Sequence, residues 1–109
     1  MSLYHSELHL GSFANLVTAT RQWSRATPQG QRPSGRYGHT LNIVGSKLYV
    51  FGGQVDTVFF NDLVSFDLNT LQHPGSRWEV VVPAGEGSAD IPAPRTNHTM
   101  VTWNEKLYL

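Results

Sequence analysis

The chain has 109 residues, eight basic and eight acidic side chains and a net charge of zero, which is room for one small domain with no charge bias. Its basic residues are scattered rather than gathered into a patch or stripe, which excludes the electrostatic footprint of a nucleic-acid surface. There is no cysteine, so disulfides, thiolate metal sites and cysteine nucleophiles are excluded as well.

Residues Met1–Leu10 lack a basic n-region and carry Glu7 where an apolar core would lie, so they do not read as a signal peptide. No apolar run approaches the roughly 18 residues of a membrane span. Met1–Ala19 is poorly patterned, with one strand read near Phe13–Val17. Thr20-Arg21-Gln22-Trp23 reads as the last strand of an earlier unit, and Ala26–Gly35 as a connecting loop. Thr40–Val44 is a strand with Leu41 and Ile43 on one face, and Lys47–Phe51 is a second with Leu48 and Val50 opposed to Tyr49 and Phe51. Gly45-Ser46 between them predicts a type II′ hairpin, because glycine accepts the positive φ that the turn needs. Both faces of the second strand are apolar, which predicts that it is covered on both sides. Gly52-Gly53 ends it.

Gln54–Asn61 is read as a loop, with an unusual Val58-Phe59-Phe60 run. Asp62–Leu68 is a third strand with Val64, Phe66 and Leu68 on one face. Asn69–Arg77 carries the Asn, Pro, Gly and Ser of a second loop. Trp78–Val82 is a fourth strand, and Pro83–Pro94 a long loop rich in Pro, Gly, Ala and Ser. No capped 3.6-residue periodicity appears after Trp23, so no helix is expected there.

Part of this pattern occurs twice. Pro33, Arg36, His39, Thr40, Lys47, Leu48 and Tyr49 return 59 residues on, without a gap, as Pro92, Arg95, His98, Thr99, Lys106, Leu107 and Tyr108. In the second copy Asn104 takes the place of the turn glycine, and asparagine is the next best residue there. A fixed period of this size signals a stacked repeat architecture, which needs about three units or more. Four strands per unit with apolar faces on both sides describe a β-propeller blade, whose neighbours cover it. The fold class expected is therefore all-β, a partial propeller. Residues 1–19 are unassigned, 20–32 close a preceding blade, 33–91 form one complete repeat and 92–109 begin the next. The second copy stops at Leu109, before any counterpart of Phe51-Gly52-Gly53, and the chain reads as a fragment of a longer repeat protein.

These residues resemble the kelch repeat: Arg36 and His39, then Lys47 to Gly53, then Asn61 to Asp67, then Trp78. The wording of Gly35–Thr40, Asn61–Asn69 and Arg95–Thr99 is similar to the fungal kelch proteins that mark growing cell ends. Val17 departs from that pattern, standing where an aspartate is expected. The resemblance implies a cytoplasmic scaffold at the cell cortex or cell tip that binds polarity, formin or microtubule-end partners. Two alternatives within kelch proteins stay open: a substrate adaptor of a ubiquitin ligase, and a fragment of a kelch enzyme or metal-dependent specifier protein.

Residues that could carry chemistry read better as architecture. His39 and His98 recur once per unit, as do Arg36 and Arg95, whereas catalytic residues do not normally repeat. Asn97-His98-Thr99 matches a glycosylation sequon but opens an inner strand, where a glycan has little room. Glu86 and Asp90 have the spacing of two ligands in the iron-binding kelch specifier proteins, but the third position is Pro94, which cannot ligate. Gly52-Gly53 leads into no lysine and no helix, so it is not a phosphate loop, and no Gly-x-Ser-x-Gly elbow is present. No catalytic, cofactor-binding or metal-binding residue is assigned, and no cofactor is expected.

Loops held by a rigid scaffold are the better candidates. In an antiparallel meander, alternate connections emerge at the same end, so Gln54–Asn61, Pro83–Pro94 and Ala26–Gly35 are expected together. Gly45-Ser46 and Asn69–Arg77 are expected at the opposite end. The candidate partner-binding residues are Val58, Phe59, Phe60, Asn61, Glu86 and Asp90. Phe59 and Phe60 have two open readings, a surface anchor for a protein partner or a tuck against the next blade. A single blade with two apolar faces and unpaired strand edges is also expected to be unstable as a monomer or to self-associate.

Overall fold

In the computed structural model every pair of strands among the described residues is antiparallel, as the period-two alternation and short turns require. The structure describes residues 13–17, 21–26, 28–30 and 32–109. The absence of a signal peptide was read from residues that lie outside these. Strand β1 (Phe13–Val17) pairs with β2 (Gln22–Ala26). Strands β3 (Thr40–Val44), β4 (Lys47–Phe51), β7 (Leu63–Asp67) and β8 (Trp78–Val82) form one four-stranded sheet in chain order. Between β4 and β7 lies a small hairpin, β5 (Gln54–Val55) with β6 (Val58–Phe59). Strand β9 (Val101–Trp103) pairs with β10 (Lys106–Tyr108).

The four-stranded sheet is one blade of an all-β, partial propeller. Its register places Leu41, Ile43, Leu48, Val50, Val64, Phe66, Trp78 and Val80 on one face. The core sits at the centre of that face, where Leu48, Val50, Val64, Phe66 and Trp78 are buried and Leu68 and Leu71 close over them. The Phe66 and Trp78 rings meet 5.3 Å apart at 54°, a tilted packing that keeps like-charged ring faces apart. The margins of the face are bare: Leu41, Ile43 and Val80 are each about half exposed or more.

The opposite face carries Thr40, Asn42, Tyr49, Phe51, Leu63, Ser65 and Val82, and β9–β10 docks against its β3 side. Asn42 Nδ2 donates to the Met100 carbonyl at 2.9 Å, and Phe51 meets the His98 ring edge-on at 5.3 Å. Ser65 is as deeply buried as its apolar neighbours. The expectation that β4 is covered on both sides holds: Leu48 and Val50 are buried on one face and Phe51 on the other.

Several local details differ from the sequence reading. Gln54–Asn61 is not a plain loop, because Asp56 takes φ 50° and turns β5 back on β6. The third strand begins one residue later and ends one earlier than Asp62–Leu68. Asp62 is drawn toward Arg36, and Asp67 accepts from the Asn69 amide and starts a single 3-10 turn over Leu68–Thr70. That turn occupies part of a segment read as helix-free. Gly45 takes φ 60°, as the first residue of a type II′ turn does, whereas Asn104 and Glu105 both have positive φ, the signature of type I′. Both turns fit a hairpin, and the change of type follows from the loss of the glycine. Strand β8 pairs Leu63 with Val82 but Val64 with Val80, so Val81 is the extra residue of a bulge.

Candidate functional site

The end of the blade that carries the longest loops is assembled around two buried polar side chains, Asn61 and Arg36. Asn61 is 1 % exposed. Its Nδ2 donates to the Pro92 carbonyl at 2.9 Å, and its Oδ1 accepts from the Gly85 amide at 3.0 Å. The Arg95 amide donates to the Phe60 carbonyl at 3.1 Å. One asparagine between β6 and β7 therefore fastens both ends of the long Pro83–Pro94 loop, so this loop and the β5–β6 hairpin share one end of the blade, as expected.

Arg36 is 2 % exposed and satisfies all five of its donors. One terminal nitrogen bonds Asp62 Oδ1 and the Gly52 carbonyl, the other bonds Asp62 Oδ2 and Ser34 Oγ, and Nε reaches the Ser34 carbonyl. The guanidinium also lies 4.1 Å from the centre of the Phe60 ring, a cation–π contact strengthened by burial. Arg36 thus ties the strand entry to the Gly52 turn and to Asp62. Its partner, 26 residues along the chain, was not picked out in the sequence. The signal available was Asp62 itself, an acidic residue next to an apolar strand.

His98 occupies the corresponding place between units. Its Nε2 lies 3.1 Å from the Phe51 carbonyl and 3.0 Å from Thr40 Oγ1. Donation to the carbonyl puts the proton on Nε2 and leaves Nδ1 as a buried lone pair without a hydrogen-bond partner. The Gly53 amide donates to the Arg95 carbonyl at 2.9 Å, and the Asn97 amide to the Gly38 carbonyl at 2.9 Å. The repeated His-Thr step is thereby a stitch between adjacent blades: the threonine of one unit meets the histidine of the next.

Both imidazoles are held below the ordinary histidine value of 6.5. Burial is the main cause for His39, with the Arg36 and His98 charges adding to it. Burial also dominates for His98; the bond to Phe51 opposes it and the Arg95 charge reinforces it. Because the folded values lie below the unfolded one, the unfolded chain binds more protons on acidification. Stability is therefore full above about pH 6.5 and falls as the pH drops below it. Thermal melts between about pH 7.5 and 5 are expected to show this decline. His98→Gln should lessen it and leave the share of His39, and an unchanged slope in that variant would exclude His98 as a source.

The six candidate contact residues separate into three groups. Val58 and Phe59, 55 % and 47 % exposed, stand at the tip of the small hairpin. Glu86 and Asp90 are exposed on the neighbouring loop. Phe60 is turned in beneath Arg36, and Asn61 lies in the scaffold under the surface. Phe59 is exposed, whereas Phe60 packs on Arg36 of its own blade rather than against the next one. At the other end the Leu68 amide donates to the Ser46 carbonyl at 2.8 Å, joining the Gly45-Ser46 turn to the second loop. The segment 28–35 does not stay at the first end. The Gln29 amide bonds the Ser76 carbonyl beside the start of β8, and only the residues near Ser34 reach Arg36.

The chain matches the family model described as the KLHDC2/KLHL20/DRC7 Kelch-repeats domain over residues 5–109. It is 50 % identical over 93 residues to Kelch repeat-containing protein 2 of Saccharomyces cerevisiae, covering 81 % of this chain and 10 % of that protein. It is 45 % identical over 94 residues to Tip elongation aberrant protein 1 of Schizosaccharomyces pombe, covering 86 % of this chain and 8 % of that protein. Kelch domain-containing protein 10 of Homo sapiens is 30 % identical over 89 residues, which are 82 % of this chain and 19 % of that protein. The chain therefore spans a tenth or less of the two fungal relatives. With one complete blade stitched to the next through recurring arginine, histidine and threonine positions, it belongs to the kelch-repeat family.

Proposed function

We propose that this chain is a non-catalytic protein-interaction module of the kelch type, acting in cell polarity and cytoskeletal organisation. Its contact surface is the Val58–Phe59 tip with the adjoining Pro83–Pro94 loop, including Glu86 and Asp90. The observation that carries this is the contrast within one end of the blade. Arg36, Asp62, Asn61 and His98 are occupied in tying strands and loops together, whereas an aromatic and a β-branched side chain stand half exposed on the hairpin they support. Exposed aromatics on a rigid base are the usual anchors of protein interfaces. The polarity role rests on the similarity to the tip elongation protein of fission yeast. On this reading the chain acts in the cytoplasm at the cell cortex or tip, with polarity, formin or microtubule-end proteins as partners.

Val58→Ser combined with Phe59→Ala is expected to weaken partner binding and cell-tip enrichment at least tenfold, about 1.4 kcal/mol or more. The melting curve should move little, since exposed substitutions of this kind stay within about 0.5 kcal/mol. Full binding by the double variant would overturn the assignment of the contact surface.

A further inference from the structure

Beside the Gly52-Gly53 turn the small hairpin gains a third member. The Tyr37 amide donates to the Gln54 carbonyl at 3.0 Å and the Gln54 amide to the Tyr37 carbonyl at 2.8 Å. Tyr37 therefore pairs antiparallel with Gln54, and Gln54 in turn pairs with Phe59. Residues opposed across an antiparallel pair project to the same side. Tyr37, Gln54 and Phe59 thus form one row across three adjacent segments. Arg36 and Phe60, the chain neighbours of the two ends of that row, meet on the other side, with the guanidinium 4.1 Å from the ring centre. The row is the outward one, and its two aromatic residues are 37 % and 47 % exposed.

The spacing of this row has a chemical meaning. Two strand spacings of about 4.8 Å separate its ends, so the two aromatic side chains spring from the surface about 9.5 Å apart. A polyproline II chain repeats every third residue, about 9.3 Å. Laid across the segments, such a chain sets every third residue on an aromatic ring. Between the rings, Gln54 Nε2 donates one hydrogen to the Asp56 carbonyl at 2.9 Å, which holds the side chain in place. A carboxamide nitrogen carries two hydrogens, and among the described residues the second has no acceptor. The carbonyls of a polyproline II chain are not bonded internally and can accept it. An α-helix presents side chains two turns apart at about 10.8 Å, but its carbonyls are already bonded within the helix.

We propose that this row docks a proline-rich segment of a partner protein in the polyproline II conformation. Prolines three residues apart rest on Tyr37 and Phe59, and Gln54 donates to a carbonyl between them. The proposal rests on the reading of this end of the blade as the contact surface, and it names the occupant. Aromatic surfaces suit such a segment because its conformation is preformed and little entropy is lost on binding. It also adds Tyr37 and Gln54 to the contact residues.

The test uses fluorescein-labelled decaproline, titrated with the chain and followed by anisotropy beside a Gly-Ser peptide of equal length. Saturable binding of decaproline, at least tenfold tighter than the Gly-Ser peptide, is expected. Tyr37→Ala and Phe59→Ala should each weaken it about tenfold or more. Tyr37→Phe keeps the ring and should retain binding, and Gln54→Leu should weaken it about 2–10-fold through the lost hydrogen bond. Melting curves of Phe59→Ala and Gln54→Leu should match that of the unsubstituted chain, which separates a lost contact from a lost fold. Binding of decaproline no tighter than the Gly-Ser peptide, or undiminished binding by Tyr37→Ala and Phe59→Ala, would overturn the proposal. If decaproline fails while Val58→Ser with Phe59→Ala still weakens partner binding in cells, the contact surface stands and its occupant is wrong. If neither effect is seen, the contact surface falls with it.

Discussion

Asp62→Ala is expected to lower the unfolding free energy by about 3–5 kcal/mol, because it leaves the buried Arg36 guanidinium without its carboxylate. Arg36 is 2 % exposed and Asp62 9 %. The pair is bidentate, so two charge-assisted bonds are lost at once. What remains around the cation is one carbonyl of the Gly52 turn, Ser34 and the Phe60 ring, none of which is charged. Small domains have only about 5–15 kcal/mol in total, so the loss is a large share of it. Replacing both partners, as Arg36→Met with Asp62→Leu, should restore most of the stability, since the cost lies in the orphaned charge rather than in the missing attraction. Urea titrations of the two single variants and the double, with the slope checked for constancy, measure this directly. A loss below about 1 kcal/mol for Asp62→Ala would mean that water reaches the pair as it does on a surface.

Gly53→Ala is expected to cost about 2–4 kcal/mol, combining backbone strain with a steric conflict. Gly53 has φ 100°, beyond the left-handed region that other residues visit. A Cβ there would stand 2.9 Å from the Tyr37 carbonyl, 3.1 Å from His39 Cβ and 3.2 Å from Arg36 Cδ. The backbone cannot rotate away, because the Gly53 amide donates to Arg95 and its carbonyl accepts from Phe60. A methyl group at this position therefore strains the turn, crowds Arg36 and loosens the stitch to the next blade together. Gly85→Ala is the control, since nothing lies within 4 Å of its new Cβ, and it should change stability by no more than about 0.5 kcal/mol. Equal melting temperatures for the two variants would contradict the packing around Gly53.

What could be read from the sequence was what nearest neighbours in the chain determine. The strands over Thr40–Val44, Lys47–Phe51 and Trp78–Val82 have the bounds expected. Alternation of apolar side chains and a glycine at the turn are local signals. The repeat added what locality could not, namely that His98 ties one unit to the next. What escaped depends on contacts across long stretches of chain. The Arg36–Asp62 pair, the two bonds of Asn61 and the inward turn of Phe60 follow from how the Gly52-Gly53 turn brings the segments together. The β5–β6 hairpin escaped because two-residue strands carry almost no periodicity, and because its turn relies on Asp56 at a positive φ rather than on glycine. Asn61 stands among the candidate contact residues because it ends the loop Gln54–Asn61, yet it is buried. Its burial is visible only once Pro92 and Gly85 are in place.

Photo-crosslinking in living cells tests the interaction-module reading most directly. A photoreactive amino acid placed at position 59 samples the hairpin tip, and one placed at position 73 samples the opposite end of the same blade. A discrete protein adduct from position 59, weak or absent from position 73 and abolished by Val58→Ser, is the expected result. Adducts of equal yield from both ends, or from position 73 alone, would contradict it.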